Sequence, residues 1–319
     1  LHSIRRRQRQ MCIRDRSFVG SWDLFELRVG ISKVFWGVTE SQHLVDVINQ
    51  ADLVESPDGE DKLGQPMINL VYVSDYGNFE CFLLPYFRER TFSGIDGRLR
   101  TNLTVDQDHP VYLHGDKERH MDYAIRWSHY QGGFDWALSY FEGTNREPEL
   151  KANSRATMLV PTYYQSKQAS AELQYVFGDW LLKAEGLSRN SALNESYWAS
   201  VLGFEYTFTN YHKGMDIGLL YEYLYDERGE KSGSGLNDAS FVGTRIALND
   251  EKSLQFLLGG ILDHQSGKAS NAFLESSRRI DENWKWSLEG VFFAKPSYGS
   301  FLDRVKRDDY LQASVSYFW

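Results

Sequence analysis

Four polar side chains that could bind a cation or a polar substrate recur at every third residue of one short segment. His43, Asp46, Asn49 and Asp52 supply an imidazole, two carboxylates and an amide, which are groups that coordinate metal ions. On a short helix this spacing would place them on one face. We favour a simpler interpretation, the polar face of a loop helix whose apolar residues pack on the body of the fold, these being Leu44, Val45, Val47 and Ile48. We therefore expect no metal and no cofactor.

Asp263, His264 and Ser266 have the residue types of a hydrolase triad. Adjacent residues of a strand point to opposite faces, however, so Asp263 and His264 are not placed to act together. The acidic stretch from Ser56 to Asp61 lacks the spacing of a twelve-residue calcium loop and is interpreted as a solvated turn. The sequence therefore predicts no enzyme activity and no catalytic residue.

A larger set of ionisable residues shares one parity of the predicted strands. These residues alternate with apolar neighbours, so an extended chain puts the charges on one face and the apolar residues on the other. Burial in a soluble core would be prohibitive for them, whereas a water-filled lumen accommodates them at little cost. We predict that the following residues line a pore: Glu26, Arg28, Arg126, Glu172, Lys183, Glu185, Glu205, Glu222, Arg245, Lys285 and Glu289. Acids outnumber bases in this set, which favours a weak preference for cations.

The elements that carry these charges are long strands joined in hairpins. Apolar and polar residues alternate over runs of roughly 9–11 residues, the length of a tilted membrane strand, whereas strands of soluble β-proteins average about 5–6 residues. Short turns alternate with long polar loops, and aromatic residues bracket the short turns, as Phe177 and Trp180 do. The pattern predicts an all-β fold, a transmembrane antiparallel β-barrel with short periplasmic turns and long extracellular loops. About 14 of its strands are visible in the sequence, which we expect to be truncated at its N-terminus.

Individual hairpins can be placed from the turn residues. The earliest predicted strand covers residues 22–31, and predicted turns lie at Gln131 to Gly133, at Gly178 and Asp179, and near Asn210. Glycine, asparagine and aspartate are the residues that two-residue hairpin turns require.

The last ten residues show the alternation most clearly. Apolar and aromatic residues occupy every second position: Leu311, Ala313, Val315, Tyr317 and Trp319. A half-apolar strand with aromatic residues at its end suits a wall between lipid and water. The stretch resembles the C-terminal strand of bacterial outer-membrane β-barrels. The resemblance implies that Tyr317 and Trp319 belong to a signal read by the barrel assembly machinery.

Composition excludes some partners. The formal net charge is −9, which argues against nucleic acid, because phosphate binding needs a basic surface. The mean hydropathy is −0.49, and no apolar run reaches the roughly 18 residues of a membrane helix. Hydropathy does not detect membrane barrels, because polar lumen residues dilute every strand. Aromatic residues make up 15% of the chain, a share typical of barrels with aromatic girdles.

Residues 1–16 do not share the strand pattern. They contain six arginines and one acid, Asp15, and they lack the apolar stretch of a signal peptide. They resemble translated sequencing-adapter text, so we expect a disordered artefact at 1–16 and a single transmembrane β-barrel domain at 17–319. A basic arm is the alternative. Outside this segment Cys81 is the single cysteine, which excludes a disulfide framework for the predicted domain.

Two short motifs carry a family resemblance. One is the pair Trp36-Gly37, expected to end a strand, and the other is the loop Ile48-Asn49-Gln50-Ala51-Asp52, of the form INxxD. With these motifs, residues 22–100 resemble an uncharacterised family of porin-like outer-membrane proteins from Gram-negative bacteria. The resemblance implies an outer-membrane location and a barrel architecture, and it implies no substrate.

These patterns together favour a porin-like channel in the bacterial outer membrane, for passive diffusion or uptake of small solutes. The expected partners are outer-membrane lipid, the barrel assembly machinery, small solutes and, in a homo-oligomer, further copies of the chain. Two alternatives are an outer-membrane barrel enzyme of the lipase or protease type and a structural barrel with a plugged lumen.

Overall fold

The computed structural model describes residues 16–54, 59–97, 99–193, 196–229, 232, 237–265, 267–294 and 307–319. These residues form eighteen strands and one short 3-10 helix, Lys117–Arg119. Among them, no helix is long and apolar enough to cross a membrane. In chain order the strands are β1 (Arg16–Trp22), β2 (Phe25–Ser32), β3 (Gln65–Ser74), β4 (Gly77–Leu84), β5 (Val111–Tyr112), β6 (Asp122–Gln131), β7 (Phe134–Thr144), β8 (Glu149–Ala152), β9 (Leu159–Tyr163), β10 (Gln165–Phe177), β11 (Trp180–Ser191), β12 (Tyr197–His212), β13 (Met215–Asp226), β14 (Asp238–Ala247), β15 (Gln255–Asp263), β16 (Lys268–Arg279), β17 (Trp284–Phe293) and β18 (Tyr310–Tyr317).

Fifteen of these strands form one antiparallel sheet, which confirms the predicted all-β antiparallel class. Their order is β1-β2-β3-β4-β6-β7-β10-β11-β12-β13-β14-β15-β16-β17-β18, and a separate small sheet has the order β5-β9-β8. Strands that neighbour each other in the large sheet are thus consecutive in the chain, except where strands of the small sheet intervene. Repeated hairpins produce this order, because each short turn returns the chain beside the strand it has just left.

The large sheet has fifteen strands, in agreement with the prediction of about fourteen. The additional strand is β1, which pairs with β2 from Arg16↔Ile31 to Trp22↔Phe25. Its short sequence, RSFVGSW, contains Gly20 and a poor alternation, so periodicity did not reveal it. Residues 1–15 of the predicted artefact segment lie outside the described residues, whereas Arg16 is the first residue of β1.

The hairpin turns agree with the sequence at two places and differ at a third. Gly132 and Gly178 adopt φ of 61° and 56°, the left-handed conformation that a two-residue hairpin turn demands. The turn predicted near Asn210 instead lies at Lys213 and Gly214, after β12 has continued to His212. Asn210 also has positive φ, 53°, and it belongs to an irregularity in the pairing of β12 with β13 between Phe208 and His212. A bulge of this kind mimics a turn in the sequence, because it uses the same residue types.

The chain forms two compact units. Unit 1 comprises Leu1–Gly37, His43–Leu173 and Glu185–Trp198, and unit 2 comprises Val38–Gln42, Gln174–Ala184 and Ala199–Trp319.

In unit 2, the apolar faces of the strands are exposed and the polar faces are buried. This is the reverse of the arrangement in a soluble protein. On β13, Leu219 is 46% exposed, whereas Glu222 on the other face is 2% exposed. Leu202 on β12 and Val242 on β14 are likewise exposed. Apolar side chains are thus exposed on strand after strand, which is unusual for the surface of a soluble protein.

The same inversion holds in unit 1. On β10, Gln168 and Glu172 are buried while Leu173 is exposed, and on β6 Ile125 is exposed next to the buried Ala124. The alternation therefore has the register that the sequence predicted. A slip by one residue would exchange the two faces.

The apolar core of unit 1 lies between its strands and the irregular segment that follows β2. Trp36, Val45, Val47 and Ile48 of this segment pack with strand residues in one buried cluster, whose strand members are Met67, Phe82, Leu84, Ala124 and Phe141. Of the four residues predicted to pack, Val45, Val47 and Ile48 lie in this cluster and Leu44 does not. The helix and the strand end expected here were both wrong. Residues 33–52 contain no helix, and β2 ends at Ser32, before Trp36.

Asn49 ties this irregular segment to the chain on either side of it. Its side-chain amide donates to the carbonyl oxygens of Ser32 and Leu63, at 2.9 Å each, and its Oδ1 accepts from the amide of Val34 at 2.9 Å. Side-chain hydrogen bonds of this kind stabilise irregular backbone by satisfying its polar groups. The INxxD motif thus has a structural role.

Candidate functional site

In unit 2, a five-residue segment, Val38–Gln42, is held against the polar face of the strands. We call this segment the strap. The carboxylate of Glu222 on β13 accepts hydrogen bonds from the backbone amide of Glu40 at 2.7 Å and from that of Ser41 at 2.8 Å. It also accepts the hydroxyl of Ser41. Three hydrogen bonds to one buried carboxylate fix the position of the strap.

The local geometry of the strap directs these amides. The hydroxyl of Thr39 donates to the carbonyl oxygen of Gln42 at 2.7 Å, which closes a tight turn around Glu40 and Ser41. Two successive amides then point the same way and form a concavity that binds an anion. In this protein the anion is the side chain of Glu222.

The side chain of Glu40 joins the strap to basic residues of two strands. Its Oε2 lies 2.7 Å from Nη2 of Arg245 on β14 and 3.8 Å from Nζ of Lys183 on β11. Arg245 also lies 3.6 Å, Nε to Oε1, from Glu205 on β12. The strap and the strands therefore bring together three carboxylates and two bases, the strap group: Glu40, Glu205, Glu222, Lys183 and Arg245.

Unit 1 contains a second charged group on its polar face. Nη1 of Arg126 on β6 lies 3.0 Å from Oε1 of Glu80, and Arg126 also pairs with Glu172 on β10. The guanidinium of Arg126 stacks over the ring of Trp36, 5.8 Å from its centre. One base thus pairs with two acids beside the buried aromatic ring, whose face attracts its positive charge.

Gly37 occupies a place that no other residue fits. Its φ is +130°, and a Cβ built on it would lie 2.8 Å from Oε1 of Glu185 on β11. Glu185 also accepts the amide of Val45 at 3.3 Å. In the Trp36-Gly37 pair, the ring of Trp36 lies in the buried core. Gly37 has no side chain and so leaves room for the carboxylate of Glu185.

The polar residues spaced by three do not converge on one site. His43 Nε2 lies 3.0 Å from Oε1 of Glu60, and Asp46 Oδ2 lies 3.3 Å from Nζ of Lys62. Asn49 binds backbone groups, as described above, while Asp52 Oδ1 accepts the hydroxyl of Thr91 at 2.8 Å. In the part of the chain that the structure describes, no three metal-ligating side chains form a group that could hold an ion.

Burial and neighbouring charges shift the pKa values of this segment. Burial alone lowers the pKa of His43, but the hydrogen bond and charge of Glu60, together with Glu185 and Asp46, raise it overall to about 9. Burial raises the pKa of Asp46, against the lowering effect of Lys62 and His43. His43 is therefore a cation at neutral pH, paired with Glu60.

The predicted pore-lining residues divide into three sets. Lys183, Glu205, Glu222 and Arg245 belong to the strap group, and Arg126, Glu172 and Glu185 belong to the polar face of unit 1. The remaining four lie in neither group: Glu26 and Arg28 pair with each other at 3.4 Å, Glu289 accepts the hydroxyl of Tyr310 at 2.8 Å, and Lys285 is opposite Ser316.

Sequence reasoning missed Glu40, Ser41 and Glu80. Glu80 lies on the polar side of the alternating strand β4, so the same pattern could have identified it. Glu40 and Ser41 lie in the irregular strap, which has no periodic pattern that could indicate them.

The predicted assembly residues lie at the end of β18. The ring of Tyr317 packs 4.8 Å from that of Trp284 and 6.3 Å from that of Trp319. Both are exposed, Trp319 to 93%. Of the predicted acidic turn, residues 55–58 lie outside the described residues, as does Ser266.

No protein-family model and no curated protein sequence matches this chain. One similar solved structure is described as a porin. It shares 11% sequence identity with a TM-score of 0.44, over 95% of this chain and 98% of the other. A likeness this distant adds no support to the function, which rests on the geometry above.

Proposed function

We propose that this protein is a β-barrel of the bacterial outer membrane through which small polar solutes diffuse passively. The observation that carries the proposal is the inverted exposure of the two strand faces, with Leu219 exposed and Glu222 buried on one strand. An apolar outer face suits lipid, and a charged inner face suits water and solutes. No covalent chemistry is needed for such a role.

The position of the strap favours a channel that is narrow where the strap lies. Its five residues lie on the polar face, held by Glu222, in space that a solute would otherwise use. The side chain of Glu40, with Arg245 and Lys183, supplies the charges that a passing solute would meet. Since rate and selectivity of a pore follow its width and lining charges, we assign both to the strap group.

The balance of charge in the strap group favours cations. Three carboxylates face two bases, an excess of a single negative charge, and the pairing of Glu40 with Arg245 at 2.7 Å leaves that excess unchanged. We therefore expect a preference of only a few-fold for cations over anions. Salt should weaken it, because the Debye length is about 10 Å at 0.1 M.

A second candidate is a structural barrel with a plugged lumen. The buried cluster in unit 1 favours it, because Val45, Val47 and Ile48 cover part of the polar side with apolar side chains. Conduction distinguishes the two functions, since both predict the same fold and location.

The test is electrical recording from purified protein in planar lipid bilayers. A channel should give discrete conductance steps, and its reversal potential in a salt gradient should show the mild cation preference. Glu40→Gln should reduce that preference. Glu289→Gln should reduce it less, because this carboxylate binds Tyr310 and is not in the strap group. Inserted protein that conducts nothing would favour the plugged barrel, and anion selectivity would contradict the charge assignment.

A further inference from the structure

A serine and a histidine lie in contact on the apolar face of unit 2, away from the strap group. The hydroxyl oxygen of Ser240 on β14 lies 2.8 Å from Nε2 of His264, just after β15. In the pairing of β14 with β15, Ser240 is opposite Leu262, so Ser240 and His264 are diagonal neighbours on one face of the sheet. Asp263 lies on the other face, where it is buried, as the alternation of a strand requires.

A tyrosine completes the contact. The hydroxyl of Tyr221 on β13 lies 3.0 Å from the hydroxyl oxygen of Ser240. A serine hydroxyl has a single proton. When Ser240 donates that proton to the imidazole, Tyr221 is therefore the donor to the Ser240 oxygen. The imidazole is then in position to act as a general base toward Ser240.

The surroundings of the pair are apolar and face outward. Leu219, Val242 and Leu262 each have an exposure of 46% to 50% and share the face of Ser240. Polar groups accompany the pair at the loop end of these strands, where Tyr223 donates to Oδ1 of Asp238 at 3.0 Å. An acyl chain could lie along the exposed apolar residues while its ester group reaches the polar end of the strands.

The geometry points to a second activity, acyl-ester hydrolysis in which Ser240 is the nucleophile and His264 the base. The substrate class is a lipid or other long-chain ester that approaches from the membrane side. This activity depends on the lipid-facing orientation of the sheet and is independent of conduction through the polar face.

The reaction takes two steps and uses water. The Ser240 oxygen forms a bond to the ester carbonyl carbon while His264 takes the hydroxyl proton, and the bond to the alcohol oxygen then breaks. His264 gives its proton to the departing alcohol, which leaves an acyl group on Ser240. Water then attacks this acyl group, His264 takes the proton of the water and returns it to Ser240, and a fatty acid is released.

Access to Ser240 requires a side-chain movement. Ser240 is 3% exposed, whereas Tyr221 beside it is 36% exposed. A substrate ester can meet the serine oxygen once the Tyr221 hydroxyl moves away. Tyr221→Phe, which removes the competing hydrogen bond but keeps the ring, should therefore raise the rate of reaction at Ser240.

The experiment uses the full chain, folded in detergent micelles, with a fluorophosphonate probe and a p-nitrophenyl ester of a medium-chain fatty acid. Wild-type protein should take up one probe per chain and hydrolyse the ester. Ser240→Ala should lose both reactions, and His264→Gln should slow both by about 100-fold or more. Ser200→Ala is the matched control. Ser200 lies on β12 opposite Tyr225, on the same face of the sheet as Ser240. It should behave as wild type.

Heat-modifiable gel mobility of each variant shows whether the barrel has formed, so loss of reaction can be separated from loss of fold. Wild-type protein that is folded and unreactive toward the probe would overturn the proposal. Reaction that survives in Ser240→Ala, or that is equally fast in His264→Gln, would overturn it as well. Channel conductance of Ser240→Ala should equal that of wild type, so this activity and the channel function can fail independently.

Discussion

Replacing Glu222 by glutamine should release the strap without disturbing the strands. The carboxylate accepts two backbone amides and one hydroxyl from Glu40 and Ser41. A glutamine side chain offers a single uncharged oxygen, and its amide group would face donors. Hydrogen bonds to a charged group contribute about 1.5–3 kcal/mol each. The glutamine variant loses one of the three hydrogen bonds, and the remaining two no longer involve a charged acceptor. The docked strap should therefore be destabilised by about 3 kcal/mol.

Hydrogen exchange measures this change directly. An opening made easier by about 3 kcal/mol accelerates exchange of the protected amides by roughly 100-fold, and the amides concerned are those of Glu40 and Ser41. The same variant should show larger or noisier conductance steps, because the strap would no longer hold one position. Glu289→Gln, on the same polar face, should change neither quantity. Unchanged exchange in Glu222→Gln, or an equal effect in the control, would refute the assignment of the strap to Glu222.

Three further predictions concern stability, orientation and assembly. The folded pKa of His43, about 9, lies above its unfolded value of 6.5. Its contribution to stability is therefore complete below about pH 6.5 and is lost as the pH rises through 9. Urea unfolding from pH 6 to pH 10 should show this loss in wild type and not in His43→Ala. Leu219→Arg should cost about 2–4 kcal/mol if the residue lies near mid-membrane, as measured by folding into vesicles, and a spin label at Leu219 that proved water-exposed would overturn the register. Trp319→Asp should prevent barrel assembly in cells, and normal heat-modifiable mobility of that variant in membrane fractions would contradict the role of the C-terminal aromatic residues.

Much of the sheet could be predicted from the sequence because its strands alternate with a period of two. On β13, this alternation predicts that Leu219 and Glu222 lie on opposite faces, and in the structure Leu219 is exposed and Glu222 is buried. The strand β1 was missed because its few residues alternate poorly, and the turn near Asn210 was misplaced because a bulge and a turn use the same residue type.

The candidate site was less predictable for a physical reason. Lys183, Glu205, Glu222 and Arg245 were found as members of a face, but nothing in the sequence indicated which of them would meet. The strap decides that, and its conformation depends on a turn closed by Thr39 and on contacts with distant strands. The contact of Ser240 with His264 was missed for a related reason, since it depends on the cross-strand register of β14 and β15.

The contact between Glu40 and Glu222 also has a consequence for the order of folding. These residues are 182 positions apart in the chain, whereas the strands of the large sheet pair mainly with their neighbours in sequence. Hairpins form early because their loops are short, and contacts that close long loops form late. The strap can dock only after β13 has joined the sheet, so its docking would be a late event in folding. An intermediate that stops before β13 would have its early strands paired and its strap undocked.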